Sequence, residues 1–175
     1  MPGSDRAHLV LVGMMGAGKT TVGRALAARL ARPFLDSDEL VEARTGRTVR
    51  EIWEADGEAA YRPLETDALV DALASTTPAI IAAAGGVVLS EANRTALRDA
   101  DACVVWLRGD PALLARRAVT GEHRPLLDGD PEANLRRLLD QRVALYTEVA
   151  DVVVDVGGRS VDELVDAVLA GCGAT

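Results

Sequence analysis

The hydrophobic positions fall into short apolar runs separated by amphipathic stretches. His8-Leu9-Val10-Leu11-Val12 is apolar without alternation up to Gly13, which predicts a strand buried on both faces. From Thr20 to Arg32 the period lengthens, with Val22, Leu26 and Leu30 four apart, and a helix is expected. Pro33-Phe34-Leu35 predicts a short strand closing on Asp36-Ser37-Asp38. Thr48-Val49-Arg50-Glu51 fits a capping box and opens a helix through about Ala55. Gly57 punctuates, and a longer helix is predicted from about Glu58 to Leu73.

The second half repeats the alternation. Ala79-Ile80-Ile81-Ala82 is a buried strand ending in Ala84-Gly85-Gly86, and Ser90 caps a helix to about Arg98. Ala102 to Leu107 carries the strongest strand signal. Asp110-Pro111 and Asp130-Pro131 each place a capping carboxylate before a proline at the first helical position. The polar stretch between them, Thr120 to Asp130, contains Gly121, Pro125 and Gly129 and reads as a mobile loop. Asp151 to Asp155 is a last strand, and Ser160-Val161-Asp162-Glu163 is a second capping box. Strands alternating with helices predict an α/β fold with five strands in a mainly parallel sheet. No internal repeat, linker or low-complexity segment divides residues 1–175, so one domain is expected.

Composition narrows the function. The chain has 175 residues, 49% hydrophobic and 26% charged, as a globular domain requires. A net charge of −8 gives no basic footprint for a general nucleic-acid binder. No apolar run approaches a membrane span and the N-terminus has no signal-peptide pattern, so a cytoplasmic protein is expected. Cys103 and Cys172 have no metal-type spacing, and neither a disulfide scaffold nor a cysteine zinc site is indicated. Of the 19 basic residues only one is a lysine, Lys19.

That lysine lies in Gly13-Met14-Met15-Gly16-Ala17-Gly18-Lys19-Thr20, a full match to G-x-x-x-x-G-K-[ST] between a strand and a helix. Glycines let successive N–H groups turn toward phosphate oxygens, and the helix adds its N-terminal dipole. Lys19 is expected at the β- and γ-phosphates and Thr20 at Mg²⁺. Gly13, Gly16, Ala17, Gly18, Lys19, Thr20 and Thr21 form the expected ATP-binding stretch. A guanine-reading N-K-x-D run needs a second lysine, which the chain lacks. Motor and large ATPase classes need more length, whereas a small-molecule kinase fits.

Asp36 and Asp38, two apart, share a face if the segment is extended. One could support Mg²⁺ through water and the other could orient an attacking hydroxyl and accept its proton. The bland alternatives are a helix N-cap for Asp38 and a solvated turn for Asp36.

The order of landmarks resembles the shikimate kinase family over nearly the whole chain. After the phosphate loop and Asp36-x-Asp38 come Gly57-Glu58 with Tyr61-Arg62-x-x-Glu65, then Ala84-Gly85-Gly86, Arg124-Pro125-Leu126-Leu127 and Arg142-x-x-x-Tyr146. The resemblance implies a three-layer P-loop fold with a five-stranded parallel sheet. It adds a helical substrate-binding segment at about 36–65 and a lid at about 119–130. It implies ATP-dependent, Mg²⁺-assisted phosphorylation of the 3-hydroxyl of shikimate, in aromatic amino-acid synthesis, by a monomer. Asp38 would be the base and touch substrate hydroxyls, and Asp36 would support Mg²⁺ through its water shell. Arg62 and Arg142 would clamp the shikimate carboxylate, for which a guanidinium fork suits a planar acid. Gly85 and Gly86 would place backbone against the substrate. Arg124 would reach the ATP phosphates from the lid, and Arg117 and Arg159 would line the adenine.

Two departures bear on the acceptor. Ala84 stands where the family usually has a first glycine; at positive φ its methyl would cost about 1 kcal/mol or more, and otherwise nothing. Pro63 follows Arg62 directly, so the helix carrying Arg62 is expected to start afresh or kink there. Trp53 and Tyr61 either wall the substrate site or pack in the core. His8 and His123 have no chemistry visible in the sequence. Two other functions compete: a kinase for gluconate or a cyclitol, which need not keep both arginines, and a non-catalytic nucleotide-binding regulatory module, which should have lost Asp38 or Arg124.

Overall fold

The computed structural model describes residues 7–119 and 127–174. Strands β1 (His8–Val12), β2 (Phe34–Asp36), β3 (Ile80–Ala82), β4 (Ala102–Arg108) and β5 (Val152–Asp155) form one sheet in the order β2-β3-β1-β4-β5. Every pairing is parallel. β1 lies in the middle with all of its residues buried, which is why its sequence shows no alternation. Leu9 faces Ile80 on one side and Cys103 on the other, so aliphatic rows run across the sheet.

The described helices are α1 (Lys19–Leu30), α2 (Ser37–Thr45), α3 (Val49–Asp56), α4 (Glu58–Leu73), α5 (Glu91–Asp99), α6 (Pro111–Ala118), α7 (Pro131–Val149) and α8 (Val161–Cys172), with a 3-10 turn at Val87–Leu89. α1 packs along α8, while α7 packs against α5, α6 and β4. The starts follow the local chemistry. Both capping boxes close reciprocally, at Thr48 with Glu51 and at Ser160 with Glu163. Ser90, Asp110 and Asp130 accept from the N–H groups of Asn93, Ala112 and Ala133. Each such cap stabilises its helix by about 1 kcal/mol. The buried His8 ring joins β1 to the turn before β3: Nδ1 accepts from Ala79 N–H at 3.2 Å and Nε2 lies 3.1 Å from Ser75 O. That pairing requires the neutral ring with its proton on Nε2. No helix among the described residues is long and apolar enough to cross a membrane.

The structure corrects three expectations. The residues after β2 are not extended. Asp36 is the N-cap of α2 and its carboxylate accepts from the N–H groups of Asp38 and Glu39, while Asp38 stands in the first helical turn. Only Ser37 and Val41 of α2 are buried, so no apolar stripe announces the helix. Secondly, α4 is continuous through Pro63, and no new helix begins there. A proline in the second turn removes one backbone bond, to Ala59, and burial of Tyr61, Glu65, Ala68, Leu69 and Ala72 on one face outweighs that loss. Thirdly, Cys103 and Cys172 are joined by a disulfide with Cα atoms 6.0 Å apart, tying the last residue of α8 to β4. The cysteines are 69 residues apart in sequence, and only the fold brings them together.

Candidate active site

In a parallel sheet the loops that follow the strands share one edge. Here β1 delivers the phosphate loop, β2 delivers Asp36 and β3 delivers Ala84-Gly85-Gly86 to that edge. Between them lies a cleft of about 340 Å³. Gly16, Gly18, Lys19, Thr20 and Thr21 line it from the phosphate loop and α1. Asp36 and Asp38 line it from the β2–α2 junction, residues 82–85 from the end of β3, and Arg117 from α6.

The loop is built to lie close to its neighbours. Gly16 has φ +80°, and a Cβ there would stand 2.5 Å from the carbonyl oxygen of Leu114, so only glycine fits. Gly18 caps α1 without a side-chain bond and no acidic residue occupies its first turn, so the helix supplies no carboxylate of its own to its N-terminus. Lys19 Nζ donates to the carbonyl oxygens of Gly13 at 2.7 Å and Met14 at 3.0 Å. Thr20 Oγ1 donates to Asp36 Oδ2 at 3.1 Å, and Asp36 Oδ1 accepts the Asp38 N–H at 2.9 Å. Asp36 therefore links α1, through Oδ2, to α2, through Oδ1, and lines the cleft beside the phosphate loop.

Two arginines stand by the glycine pair. Arg62 donates through Nη1 to both oxygens of Glu65 at 2.9 Å, and through Nε and Nη2 to Glu58 at 3.0 and 2.6 Å. Its guanidinium lies on Gly86, where a Cβ would stand 2.2 Å from Nη1. Burial works against the Arg62 charge, yet the carboxylates of Glu65 and Glu58 outweigh it and hold its pKa above the ordinary value. Glu65 is only 1% exposed, and burial raises its pKa although Arg62 pulls the other way.

Arg142, from α7, is 3% exposed. Its Nη1 lies 4.0 Å from the sulfur of Met14, and its buried Nε has no hydrogen-bond partner among the described residues. Tyr146, one turn on, donates to Gly85 O at 2.6 Å, and burial pushes its phenol up to about 12. Ser37 is fully buried and its hydroxyl accepts the Ala84 N–H at 2.9 Å. Ala31 is the sole described non-glycine residue at positive φ, so the Ala84 methyl strains nothing.

The structure thus brings the phosphate loop, Asp36, Asp38, Gly85 and Arg117 to one cleft, with Arg62, Gly86 and Arg142 beside it. Ala17, within the loop, is fully buried and does not line the cleft. Arg159 is exposed between β5 and α8 and does not line the cleft. Arg124 and His123 lie outside the described residues. Tyr61 is 3% exposed and packs with Val41, Ile52 and Ala68, while its hydroxyl donates to Asp38 Oδ1. The sequence did not single out Glu65 or Ser37 for a role. Glu65 carried a usable signal, a carboxylate three residues from Arg62 on one helix face; Ser37 carried none.

A phosphate loop at the carboxyl edge of a parallel sheet of this order, with an acidic pair facing it, defines a P-loop kinase of small molecules. The comparisons with known proteins are specific. The family model described as shikimate kinase matches residues 15–172. The shikimate kinase of Thiobacillus denitrificans is 47% identical over 159 residues, 90% of this chain and 86% of the relative. That of Burkholderia lata is 45% identical over 164 residues, 93% of this chain and 88% of the relative. The structure of the Acinetobacter baumannii shikimate kinase in complex with shikimate superposes with a TM-score of 0.87 at 39% identity, covering 93% of this chain and 90% of that one. The chain belongs to the shikimate kinase family.

Proposed function

We propose that this chain transfers the γ-phosphoryl group of ATP to the 3-hydroxyl of shikimate. The acceptor oxygen bonds to the γ-phosphorus, the bond to the bridging oxygen breaks, and its electron pair leaves with ADP. The proton of the hydroxyl passes to Asp38. The single observation that carries the choice of acceptor is the buried Arg142 with its unpaired Nε, beside Gly85 and next to a cleft that holds a carboxylate and a phosphate loop. A buried cation with an unmet donor is matched by an anionic, planar group such as a substrate carboxylate. Arg62 supplies the second fork.

ATP fits the loop: glycine conformations and close packing shape it, and Lys19, which bonds two loop carbonyls, is within reach of phosphates lying in it. The family position gives Gly13, Gly16, Ala17, Gly18, Thr20 and Thr21 the rest of that grip, with Arg117 and Arg159 at the adenine and Arg124 at the phosphates. Mg²⁺ fits Thr20 Oγ1 and Asp36 Oδ2, hard oxygen donors side by side in the cleft. When bound it neutralises charge on the phosphate oxygens. Residues 36–65 carry Asp38, Tyr61, Arg62 and Glu65 and serve as the substrate-binding segment, with residues 119–130 as the lid. Every residue named belongs to one chain, so the reading needs no second copy.

The test is coupled ADP release with ATP and Mg²⁺, offering shikimate, gluconate and an uncharged cyclitol in parallel. Turnover with shikimate alone is expected. Turnover with gluconate or the cyclitol and none with shikimate would overturn the acceptor assignment and leave the phosphate loop in place.

A further inference from the structure

Tyr61 places a fixed donor on the one carboxylate that the proposed reaction uses as its base. The ring lies in the small apolar cluster of Val41, Ile52 and Ala68. It stands 5.7 Å from the Trp53 ring, and the Arg62 guanidinium is 5.6 Å from its centroid. A tyrosine has two side-chain torsions, so a pinned ring is a pinned hydroxyl. That hydroxyl donates to Asp38 Oδ1. Burial first, then the charges of Asp38 and Glu65, hold the phenol far above its ordinary pKa, so it remains a donor. The Asp38 backbone is held separately, by its N–H bond to Asp36 Oδ1 at 2.9 Å.

From this geometry we infer that Tyr61 is a positioning residue for phosphoryl transfer: its hydroxyl sets the plane of the Asp38 carboxylate, so that the carboxylate meets the acceptor hydroxyl in one orientation. The inference rests on the reading of Asp38 as the group that orients that hydroxyl. Two consequences of the bond oppose each other. A donated hydrogen bond makes the carboxylate a weaker base, and it also freezes a torsion. In a loose transition state the attacking hydroxyl forms little bond, so base strength contributes little and placement contributes much. Placement decides the sign, and losing the hydroxyl lowers kcat.

Tyr61→Phe keeps the ring and removes one oxygen. The test compares it with Asp38→Asn and with the double variant, reading kcat, KM for each substrate and the thermal midpoint. Tyr61→Phe is expected to lower kcat about tenfold, the effect of one bond to a charged group. ATP KM stays at the wild-type value, and the thermal midpoint falls only by the few degrees that one lost hydrogen bond costs. Asp38→Asn loses more, and adding Tyr61→Phe to it loses nothing further. Wild-type kcat in Tyr61→Phe beside a crippled Asp38→Asn overturns the role of Tyr61 and leaves that of Asp38 standing. Wild-type kcat in Asp38→Asn overturns the reading of Asp38 itself, and the role of Tyr61 with it. An equal loss from Tyr61→Phe in both backgrounds, or a loss that comes with a raised ATP KM, overturns positioning in favour of plain packing.

Discussion

Replacing Gly86 by alanine would place a methyl group inside the Arg62 guanidinium. The new Cβ would stand 2.2 Å from Nη1 and 2.6 Å from Cζ and Nη2, where ordinary contact needs at least 3.4 Å. The guanidinium must retreat by about 1 Å, a displacement that can cost a site about a hundredfold. At the end of a long side chain such a retreat is usually cheap. Here four hydrogen bonds oppose it, two to Glu65 at 2.9 Å and two to Glu58 at 2.6 and 3.0 Å. A retreat of that size stretches the Glu65 bonds beyond useful length and leaves a carboxylate that is 1% exposed without its partner. Loss of such a bond destabilises the fold by about 1–3 kcal/mol. Coupled ADP release at saturating ATP, titrated with shikimate, should show kcat/KM for shikimate about a hundredfold down, which is about 2.7 kcal/mol. ATP KM should hold, because the nearest atoms to the new methyl all belong to the Arg62 guanidinium and none to the phosphate loop. A variant with kcat/KM for shikimate within about twofold of wild type and an unchanged melt would refute the placement of Arg62 on Gly86.

Ala31 caps α1 at φ 51°, a conformation that favours glycine, so Ala31→Gly should raise stability in urea unfolding by about 0.5–1 kcal/mol with activity unchanged. The disulfide spans 69 residues, and loop-closure entropy makes its removal by Cys172→Ser worth up to about 4 kcal/mol in the same assay. Equal urea midpoints with and without reductant would count against the bond. The Glu163 carboxyl is held below its ordinary value, first by the Ser160 backbone N–H and then by its hydroxyl. A depressed acid contributes stability above its ordinary pKa of 4.5 and loses it as pH falls through the depressed value. Glu163→Gln should therefore melt lower than wild type at pH 7, and the gap should narrow as pH falls below 4.5.

Features carried by contiguous residues are legible in the sequence itself. The phosphate loop is one such motif, since backbone shape, lysine and hydroxyl are adjacent in the chain. The predicted helix from Glu58 to Leu73 has its observed ends, because Gly57 stops one helix and starts the next. α2 escaped because its capping carboxylate, Asp36, also looked like metal chemistry and because only Ser37 and Val41 of its residues are buried, too few to show a helical stripe. The pairs that shape the site were less legible still. Tyr61 meets Asp38 across 23 residues, Tyr146 meets Gly85 across 61, and Ser37 meets Ala84 across 47. Such contacts follow from strand order and helix rotation, which a single sequence does not encode in any local pattern. Pro63 misled for a related reason: propensity argued for a break, and burial of one helix face overrode it.

Tyr61 and Arg62 are consecutive residues on one helix, and they point to different walls, one to the carboxylate after β2 and the other to the glycine pair after β3. The backbone fixes where the two side chains start, and hydrogen bonds to Asp38 on one side and to Glu58 and Glu65 on the other fix where they end. α4 therefore works as a caliper with fixed jaws. Because Glu58 and Glu65 belong to the same helix as Arg62, the bonds that hold the Arg62 jaw move with α4. On the proposed function, an acid held at one jaw offers its hydroxyl at one distance from the other, and a shorter or longer hydroxy acid reaches only one of them.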